Sequence, residues 1–289
     1  MTPNRWSDLS RPPLNQTALR RALLHEGTPL HEGDVLWTHL EVLESVNSTH
    51  TELVSRTRAG EARPGTVLVA EEQTAGRGRL DRAWSAPARS GLFFSVLLRP
   101  AAAAERWGWI PLLAGVAAAG ALARTAGVDT GLKWPNDILA TGADEERKIG
   151  GILAERVDDE HVVLGMGVNV TLREEELPVP TAGSLALAGA QGTDRDPILR
   201  AVLRAFEDWY GRWTAADGDP TACGVLEAYA AGCVTLGRSV RAMLPGGEEL
   251  LGEAVAVDGD GRLVIASEQG VQRPVAAGDI VHLRPATGK

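Results

Sequence analysis

The residues best suited to chemistry stand in one short stretch, residues 71–84, which we call the arginine loop. It carries Arg77, Arg79 and Arg82, with glycine on either side of Arg77. A guanidinium group keeps its charge and presents a planar fork that fits carboxylate and phosphate oxygens. Glycine lets the backbone approach a ligand closely and leaves an empty loop free to move. The stretch therefore predicts a mobile clamp for an anion, whose arginines engage only when the anionic ligand is bound.

Two apolar strands must position this loop, one at residues 66–70 before it and one at residues 91–98 after it. A hairpin between such strands usually needs only about two to five residues. The alternative is a solvated hairpin loop, but connections of this length are usually functional. The glycines do not make a nucleotide motif, because the third glycine of a dinucleotide fingerprint is missing and no Gly-Lys-Ser or Gly-Lys-Thr follows for a P-loop.

Two further polar stretches follow the loop. Residues 133–137 read Lys-Trp-Pro-Asn-Asp, and the proline predicts a bend between two short strands. In residues 147–155, Gly150 and Gly151 leave bare backbone against which a flat ligand can lie, while Lys148 stands at the entry of the strand. Each stretch has a structural alternative: residues 133–137 could be an ordinary polar turn, and Lys148 could be a solvent-facing lysine on an edge strand.

A pair of hydroxyl residues precedes the arginine loop. Ser48 or Thr49 can cap the helix that follows, and Glu52 can complete a capping box. One hydroxyl then caps the helix while its neighbour faces a ligand. Farther along the chain, a buried strand ends at Asn169, which places another polar side chain at a strand end.

Taken together, these motifs resemble those of the biotin protein ligases. That family carries Gly-Arg-Gly-Arg-x-Gly-Arg followed by tryptophan, and residues 76–84 match it except that Asp81 replaces the third glycine. Residues 133–137 match the family's second motif in full, and residues 147–155 match the third, in the same order. The Ser-Thr pair matches as well, with His50 in place of the family's asparagine. The resemblance covers nearly the whole chain.

The resemblance implies an α+β fold, with a mixed, largely antiparallel sheet flanked by helices as in class II synthetases. The same resemblance implies that a small SH3-like β-barrel follows at the C-terminal end. It also implies two reactions on Mg-ATP. The carboxylate of biotin attacks the α-phosphate to give biotinyl-AMP and pyrophosphate. A lysine of a biotin carboxyl carrier domain then takes the biotinyl group as an amide. ATP and biotin are thus substrates, Mg²⁺ accompanies ATP, and the residues that hold the metal are left open.

The family's site residues carry over to the matching positions of this chain. The resemblance implies that biotin is bound by Ser48, Thr49, Gln73, Arg77, Lys148 and Gly151. It implies that the nucleotide is bound by Arg79, Arg82, Trp84, Asn136 and Asn169. The catalytic set is Arg77, Arg79, Lys148 and Asp137. Its cations offset the repulsion between carboxylate and phosphate. Trp84 offers a stacking face for adenine, and Asp137 orients the incoming lysine or a magnesium ion.

Composition narrows the classes of function. The 289 residues are 44% hydrophobic and 23% charged, as in an ordinary globular protein, and the net charge of -9 offers no basic field to DNA or an acidic membrane. No signal peptide is recognisable, and the apolar stretch 107–125 contains Pro111 and predicts a buried helix rather than a membrane span. The two cysteines are too few for a disulfide framework. We therefore expect a cytoplasmic protein that binds no nucleic acid and no membrane.

The chain divides into three regions. Residues 1–34 are predicted to be an N-terminal extension with one short helix at 14–25, capped by Asn15 and stopped by Gly27. Residues 35–234 form the catalytic domain, whose first strand is expected at 35–43. Residues 235–289 form the C-terminal domain, since short β-rich segments recur there between glycine-containing turns. The oligomeric state is left open, a homodimer included.

Two other classes of function have to be weighed. A lipoate ligase shares the fold and the chemistry but lacks the arginine motif, and a substrate-competition assay separates the two. A biotin-sensing transcriptional repressor would be a binding protein. The short N-terminal extension leaves no room for the two or three helices of a helix-turn-helix module, which argues against that class.

Overall fold

The computed structural model describes residues 10–24, 36–142, 145–244, 247–276 and 278–282, and only the backbone of Asp81. The helices in these ranges are α1 (Gln16–Leu23), α2 (Thr49–Arg58), α3 (Ile110–Ala126), α4 (Arg195–Ala215) and α5 (Val225–Gly232). The strands are β1 (His39–Leu43), β2 (Thr66–Ala70), β3 (Gly76–Arg77), β4 (Ala83–Trp84), β5 (Gly91–Leu98), β6 (Thr130–Lys133), β7 (Asp137–Ala140), β8 (Arg147–Arg156), β9 (Val162–Asn169), β10 (Ser239–Met243), β11 (Glu249–Val257), β12 (Leu263–Ala266), β13 (Gln272–Val275) and β14 (Asp279–His282). Within the described residues, three short 3-10 turns lie at Arg79–Asp81, Ala104–Trp109 and Glu174–Glu176.

A seven-stranded sheet forms the centre of the protein, in the order β1-β2-β5-β9-β8-β7-β6. β1 runs parallel to β2, and every other neighbouring pair is antiparallel. The predicted mixed, largely antiparallel sheet is therefore confirmed. The strands predicted at 66–70 and 91–98 are found at those residues, since both are fully buried apolar runs. The first strand is shorter than predicted and begins at His39, because its pairing with β2 begins there.

Helix α3 is a core helix against which α4 and α5 pack. The helix predicted at 107–125 is confirmed with shifted ends, since a 3-10 turn precedes Ile110. Pro111 lies in its first turn, where a missing N–H costs nothing. Among the described residues, Ala104–Ala126 is the one helical segment long and apolar enough to cross a membrane, and 61% of its apolar window is buried inside the protein. That burial identifies it as the predicted core helix.

The N-terminal helix packs onto the same core. Asn15 caps it as predicted, with its side chain accepting from the N–H of Ala18 at 3.0 Å. Leu19 and Leu23 are fully buried in the main hydrophobic cluster. The predicted stop at Gly27 lies outside the described residues. The boundary at residue 34 stays a prediction, but the described helix is an integral part of the fold.

Five antiparallel strands form a second, C-terminal sheet in the order β13-β12-β11-β10-β14. The predicted strands are found within a few residues of their expected positions, which agrees with a small SH3-like barrel. This sheet is joined to the central one through Thr235, whose hydroxyl accepts from the backbone N–H of Trp134 at 3.1 Å. Thr235 Oγ1 also lies 3.1 Å from Nε2 of His282. Arg238 donates to Nδ1 of His282 at 3.2 Å, so Nε2 must carry the proton.

Acidification should weaken this junction, because His282 must stay neutral to accept from Arg238. Burial, together with the nearby charges of Lys133 and Arg238, lowers the pKa of His282 from 6.5 to about 4. Between those pH values the unfolded chain binds a proton that the folded protein does not, so the free energy of unfolding falls as the pH drops. The slope is at most about 1.4 kcal/mol per pH unit and is reduced by solvent screening, since the ring is only half-buried.

Urea denaturation as a function of pH measures this slope. His282→Gln keeps a polar side chain without the titration and should lose the added pH dependence below pH 6.5. Equal slopes for the two proteins would show that His282 does not control the junction.

Candidate active site

One cavity of about 490 Å³ gathers the residues singled out from the sequence. It lies over the central sheet, between the arginine loop and the C-terminal sheet. Every predicted site residue lines it, namely Ser48, Thr49, Gln73, Arg77, Arg79, Arg82, Trp84, Asn136, Asp137, Lys148, Gly151 and Asn169. Side chains from widely separated parts of the chain therefore face one space.

Ser48 takes the predicted capping role, and the prediction that its neighbour Thr49 faces a ligand stays a prediction. Ser48 caps α2 by accepting from the N–H of Thr51 at 3.4 Å. Thr49 is linked to Gln73, whose Oε1 accepts from the Thr49 backbone N–H at 2.8 Å and lies 3.2 Å from its hydroxyl. The predicted capping box is wrong, because Glu52 accepts instead from Arg56 one turn later at 2.7 Å. The result is a cluster of hydroxyl and amide groups at one wall of the cavity.

Sequence reasoning missed part of this cluster. The Thr49 hydroxyl lies 2.9 Å from the hydroxyl of Ser95 on β5. His50, which replaces the family's asparagine, is buried and places Nε2 3.2 Å from Glu155. Burial, the largest effect, lowers the pKa of His50 despite that carboxylate. Gly165 is needed beside the ring, because a Cβ there would lie 2.9 Å from Nδ1. The sequence offered one sign of Ser95, namely a polar side chain within an otherwise apolar strand.

A flat group does lie against the glycines of β8 and β9, but it is a side chain of the protein itself, the indole of Trp84. Gly151 on β8 pairs directly with Gly167 on β9. The indole of Trp84 lies against both, since a Cβ would come within 3.0 Å of the ring at Gly151 and within 2.8 Å at Gly167. The expectation that a ligand lies flat on this backbone is therefore corrected. Trp84 covers the glycines with one face and lines the cavity, and its Nε1 is buried with no hydrogen-bond partner in the described part of the chain.

The arginine loop is held by partners within the protein. β3 and β4 form a two-residue ladder at its base, and a 3-10 turn carries Arg79 inward. Arg79 donates to Oδ1 of Asn136 at 3.3 Å, and Arg82 lies 2.5 Å from Asp279 of the C-terminal sheet. Burial lowers the pKa of Arg79 from its ordinary value. The expectation that these arginines engage only an anionic ligand is thus wrong for Arg79 and Arg82.

Lys148 meets the predicted aspartate at the cavity. Its Nζ lies 2.5 Å from Oδ1 of Asp137 and 5.7 Å from the centroid of the Trp84 ring. The backbone N–H of Lys148 donates to the carbonyl of Thr181 at 2.8 Å, which ties the strand entry to the loop at 171–184. The lysine is therefore a partnered group in the cavity wall and not a solvent-facing edge residue.

The C-terminal sheet supplies a wall that the sequence did not reveal. Gly278, Asp279, Ile280 and Val281 line the cavity, and Asp279 forms the ion pair with Arg82. Arg82 donates to Asp279 and so lowers the pKa of that carboxyl group. The C-terminal segment carries no motif of its own, so only the packing of the two sheets places it here.

Asn169 and Asn136 are both fixed by the backbone. Asn169 donates to the carbonyl of Gly183 at 2.9 Å, and Asn136 donates to the carbonyl of Ile152 at 2.9 Å. In the described ranges, no group of three or more His, Cys, Asp or Glu side chains is placed to hold a metal ion. A metal here would depend on ligands from a bound phosphate as well as from the protein.

Comparison with known proteins adds an independent view of the chain. The profile of the Biotin/lipoate A/B protein ligase family matches residues 42–169, and that of the Biotin protein ligase C terminal domain matches residues 235–283. A biotin–[acetyl-CoA-carboxylase] ligase of Mycobacterium tuberculosis is 40% identical over 281 residues, which is 96% of this chain and 98% of that protein.

Two solved structures are similar as well. A biotin protein ligase from Aquifex aeolicus, in complex with biotin and ATP, gives a TM-score of 0.69 at 28% identity, covering 86% of this chain and 100% of that one. A biotin protein ligase from Leishmania major, in complex with biotinyl-5-AMP, gives a TM-score of 0.56 at 25% identity, covering 83% of this chain and 99% of that one.

Proposed function

The chain belongs to the biotin/lipoate A/B protein ligase family, and from that membership we propose that it is an ATP-dependent biotin ligase. It forms biotinyl-AMP from biotin and ATP and transfers the biotinyl group to a lysine of a biotin carboxyl carrier protein. One observation carries this proposal. A hydroxyl–amide cluster, an indole face and a set of cations all line the same cavity.

Biotin binds where Ser48, Thr49 and Gln73 offer hydroxyl and amide groups to its ureido ring, close to Gly151. A ureido group has both donors and an acceptor, so a wall with both kinds of partner is required. Arg77 and Lys148 hold the carboxylate at the other end of the ligand. The neutral His50 beneath this wall adds no competing charge, since burial lowers its pKa.

The nucleotide binds along the arginine loop. Adenine stacks on the face of Trp84 that the glycines leave uncovered, with Asn136 and Asn169 near its edge. Arg79 and Arg82 meet the phosphates. Because Arg79 is already bonded to Asn136 and Arg82 to Asp279, the phosphates find these guanidinium groups close to their working positions, which reduces the ordering cost of binding.

In the first step, a carboxylate oxygen of biotin attacks the α-phosphorus of ATP. A new P–O bond forms, the bond to the β-phosphate oxygen breaks, and pyrophosphate leaves with its electron pair. Two anions must meet in this step, so fixed cations and excluded water lower its barrier. Arg77, Arg79 and Lys148 supply that positive charge.

In the second step, the neutral amine of a carrier lysine attacks the carbonyl carbon of biotinyl-AMP. The C–N bond forms, the bond between the acyl carbon and the phosphate oxygen breaks, AMP leaves with its electron pair, and the amine nitrogen gives up a proton to solvent. Asp137 has a role here once Lys148 turns toward the ligand. The pair is 2.5 Å apart in the described state, and drawing Lys148 to the acyl phosphate releases the carboxylate. Asp137 then orients the incoming amine; alternatively, it would help to hold a magnesium ion bound to ATP in the first step.

The partners follow from this chemistry. A carrier domain of a biotin-dependent carboxylase brings the acceptor lysine, and the reaction takes place in the cytoplasm, where ATP is available. No nucleic acid and no membrane take part. The division into residues 1–34, 35–234 and 235–289 is part of this proposal, and the third region contributes the C-terminal wall of the cavity.

Exchange of labelled pyrophosphate into ATP tests the proposed function. We expect exchange that depends on biotin, because the first step is reversible while the adenylate stays bound. Lipoate should not replace biotin in the same assay. Equal exchange with lipoate and none with biotin would contradict the proposal and favour a lipoate ligase.

A further inference from the structure

A segment at the start of the described chain, residues 10–15, contacts loops on both sides of the cavity, and we call it the N-terminal strap. Its Arg11 is only 8% exposed. The Arg11 guanidinium donates to the hydroxyl of Thr171 at 3.1 Å and to its carbonyl at 2.7 Å, and it lies 2.5 Å from Glu176. The bond from Arg11 also lowers the pKa of Glu176. A buried fork with this many partners is a specific attachment rather than a surface ion pair.

Two buried charges hold the next part of the strap. Arg195 is 4% exposed and Glu71 is 5% exposed, and they lie 2.8 Å apart. Arg195 also donates to the carbonyls of Pro12 at 2.6 Å and Gly91 at 3.3 Å. Glu71 accepts from the backbone N–H of Leu14 at 2.6 Å through Oε1, while its Oε2 faces Arg195 and has no hydrogen-bond partner among the described residues. The backbone of the strap therefore supplies a hydrogen-bond partner to each member of this ion pair.

These contacts fall at the roots of the two loops that border the cavity. Glu71 is the first residue of the arginine loop, and Gly91 begins the strand to which the chain returns. Thr171 begins the loop at 171–184, of which residues 178, 179, 181 and 182 line the cavity. The two roots also meet each other, since the carbonyl of Ser90 accepts from the N–H of Thr171 at 2.8 Å.

We propose that the N-terminal strap is a positioning element for the ligase reaction. Arg11 and its partners hold the arginine loop and the 171–184 loop in one fixed arrangement, and this sets the affinity for biotin and the lifetime of the bound adenylate. No residue of the strap lines the cavity, so the strap acts through the loops. It also lies outside the residues matched by either family profile, 42–169 and 235–283. The inference rests on the proposed function.

The test replaces Arg11 by alanine and by lysine in the full chain. Amide hydrogen exchange should become faster in both residues 71–90 and residues 171–184 of Arg11→Ala. The KM for biotin should rise, and the lifetime of bound biotinyl-AMP should fall, each by about tenfold. The first-turnover rate at saturating biotin should change less. Arg11→Lys keeps the charge but loses the planar fork, so its loop exchange, KM for biotin and adenylate lifetime should lie between those of the wild type and Arg11→Ala.

Arg21→Ala is the matched control, because Arg21 is an exposed arginine on the adjacent α1 and takes no part in these contacts. Glu176→Gln removes the charge of the partner at constant size and gives a second variant if Arg11→Ala does not fold. A purely structural strap would lower the melting temperature while the folded enzyme kept wild-type loop exchange and KM, and that result would overturn the proposal. Failure of wild-type pyrophosphate exchange would refute the proposed function instead, and the hydrogen-exchange result would still decide what the strap holds.

Discussion

Replacing Lys148 by alanine should slow the formation of biotinyl-AMP by about two to three orders of magnitude, the loss typical of one fixed group that stabilises developing charge. The positive charge of the lysine is expected to offset the repulsion between the biotin carboxylate and the α-phosphate. Its removal also deprives Asp137, 2.5 Å away, of its ion-pair partner and so adds negative charge to the cavity. That charge repels both substrates. Rapid-quench measurement of a single turnover gives the rate directly.

Folding should be almost unaffected by Lys148→Ala. The lysine side chain is 36% exposed, and partly exposed ion pairs contribute about 1 kcal/mol or less. Arg147→Ala is the matched control, because Arg147 precedes it on the same strand and pairs outward with Glu174 at 2.8 Å. Single-turnover adenylation at the wild-type rate in Lys148→Ala would show that Lys148 takes no part in adenylate formation.

Replacing Arg79 by glycine should leave adenylate formation measurable but release the intermediate faster. Biotinyl-AMP is a mixed anhydride that water and stray amines consume, so the cavity has to stay closed over it. Arg79 holds the loop to Asn136 at 3.3 Å. Losing a charge-assisted contact of about 1.5–3 kcal/mol, and gaining a flexible residue, should raise the dissociation rate by roughly ten- to a hundredfold.

Asp81→Gly separates flexibility from lost contact. It restores the glycine of the family motif two residues away and leaves Arg79 in place, so it should retain the adenylate nearly as well as the wild type. Dissociation can be followed by trapping released biotinyl-AMP, and non-cognate lysines near the Arg79→Gly enzyme should become labelled. If Arg79→Gly holds the adenylate as long as the wild type does, the arginine loop is not the lid.

Local features of this protein are readable from the chain because they depend on neighbouring residues. The strands β2 and β5 are continuous apolar runs and are found where predicted. Asn15 and Ser48 cap their helices because a side-chain oxygen only has to reach the next turn. The gathering of motif residues in one cavity was also expected, since the family resemblance placed them together.

Contacts between segments far apart in the chain could not be predicted from the sequence. Arg82 pairs with Asp279, which is far away in the chain, and only the docking of the C-terminal sheet brings them together. Trp84 covers Gly151 and Gly167 because the arginine loop folds back onto the sheet, whereas the glycines alone indicated room for a ligand. The strap contacts of Arg11 depend on the same kind of long-range packing.

The most direct test of the central claim, that one cavity makes and then uses a retained adenylate, is a chase experiment. The enzyme is incubated with labelled biotin and ATP, and a carrier domain is then added together with a large excess of unlabelled biotin. We predict that the carrier lysine acquires the label in a single turnover, because bound biotinyl-AMP reacts before it dissociates. Incorporation of unlabelled biotin alone would show that no adenylate is held in the cavity, and it would contradict the account.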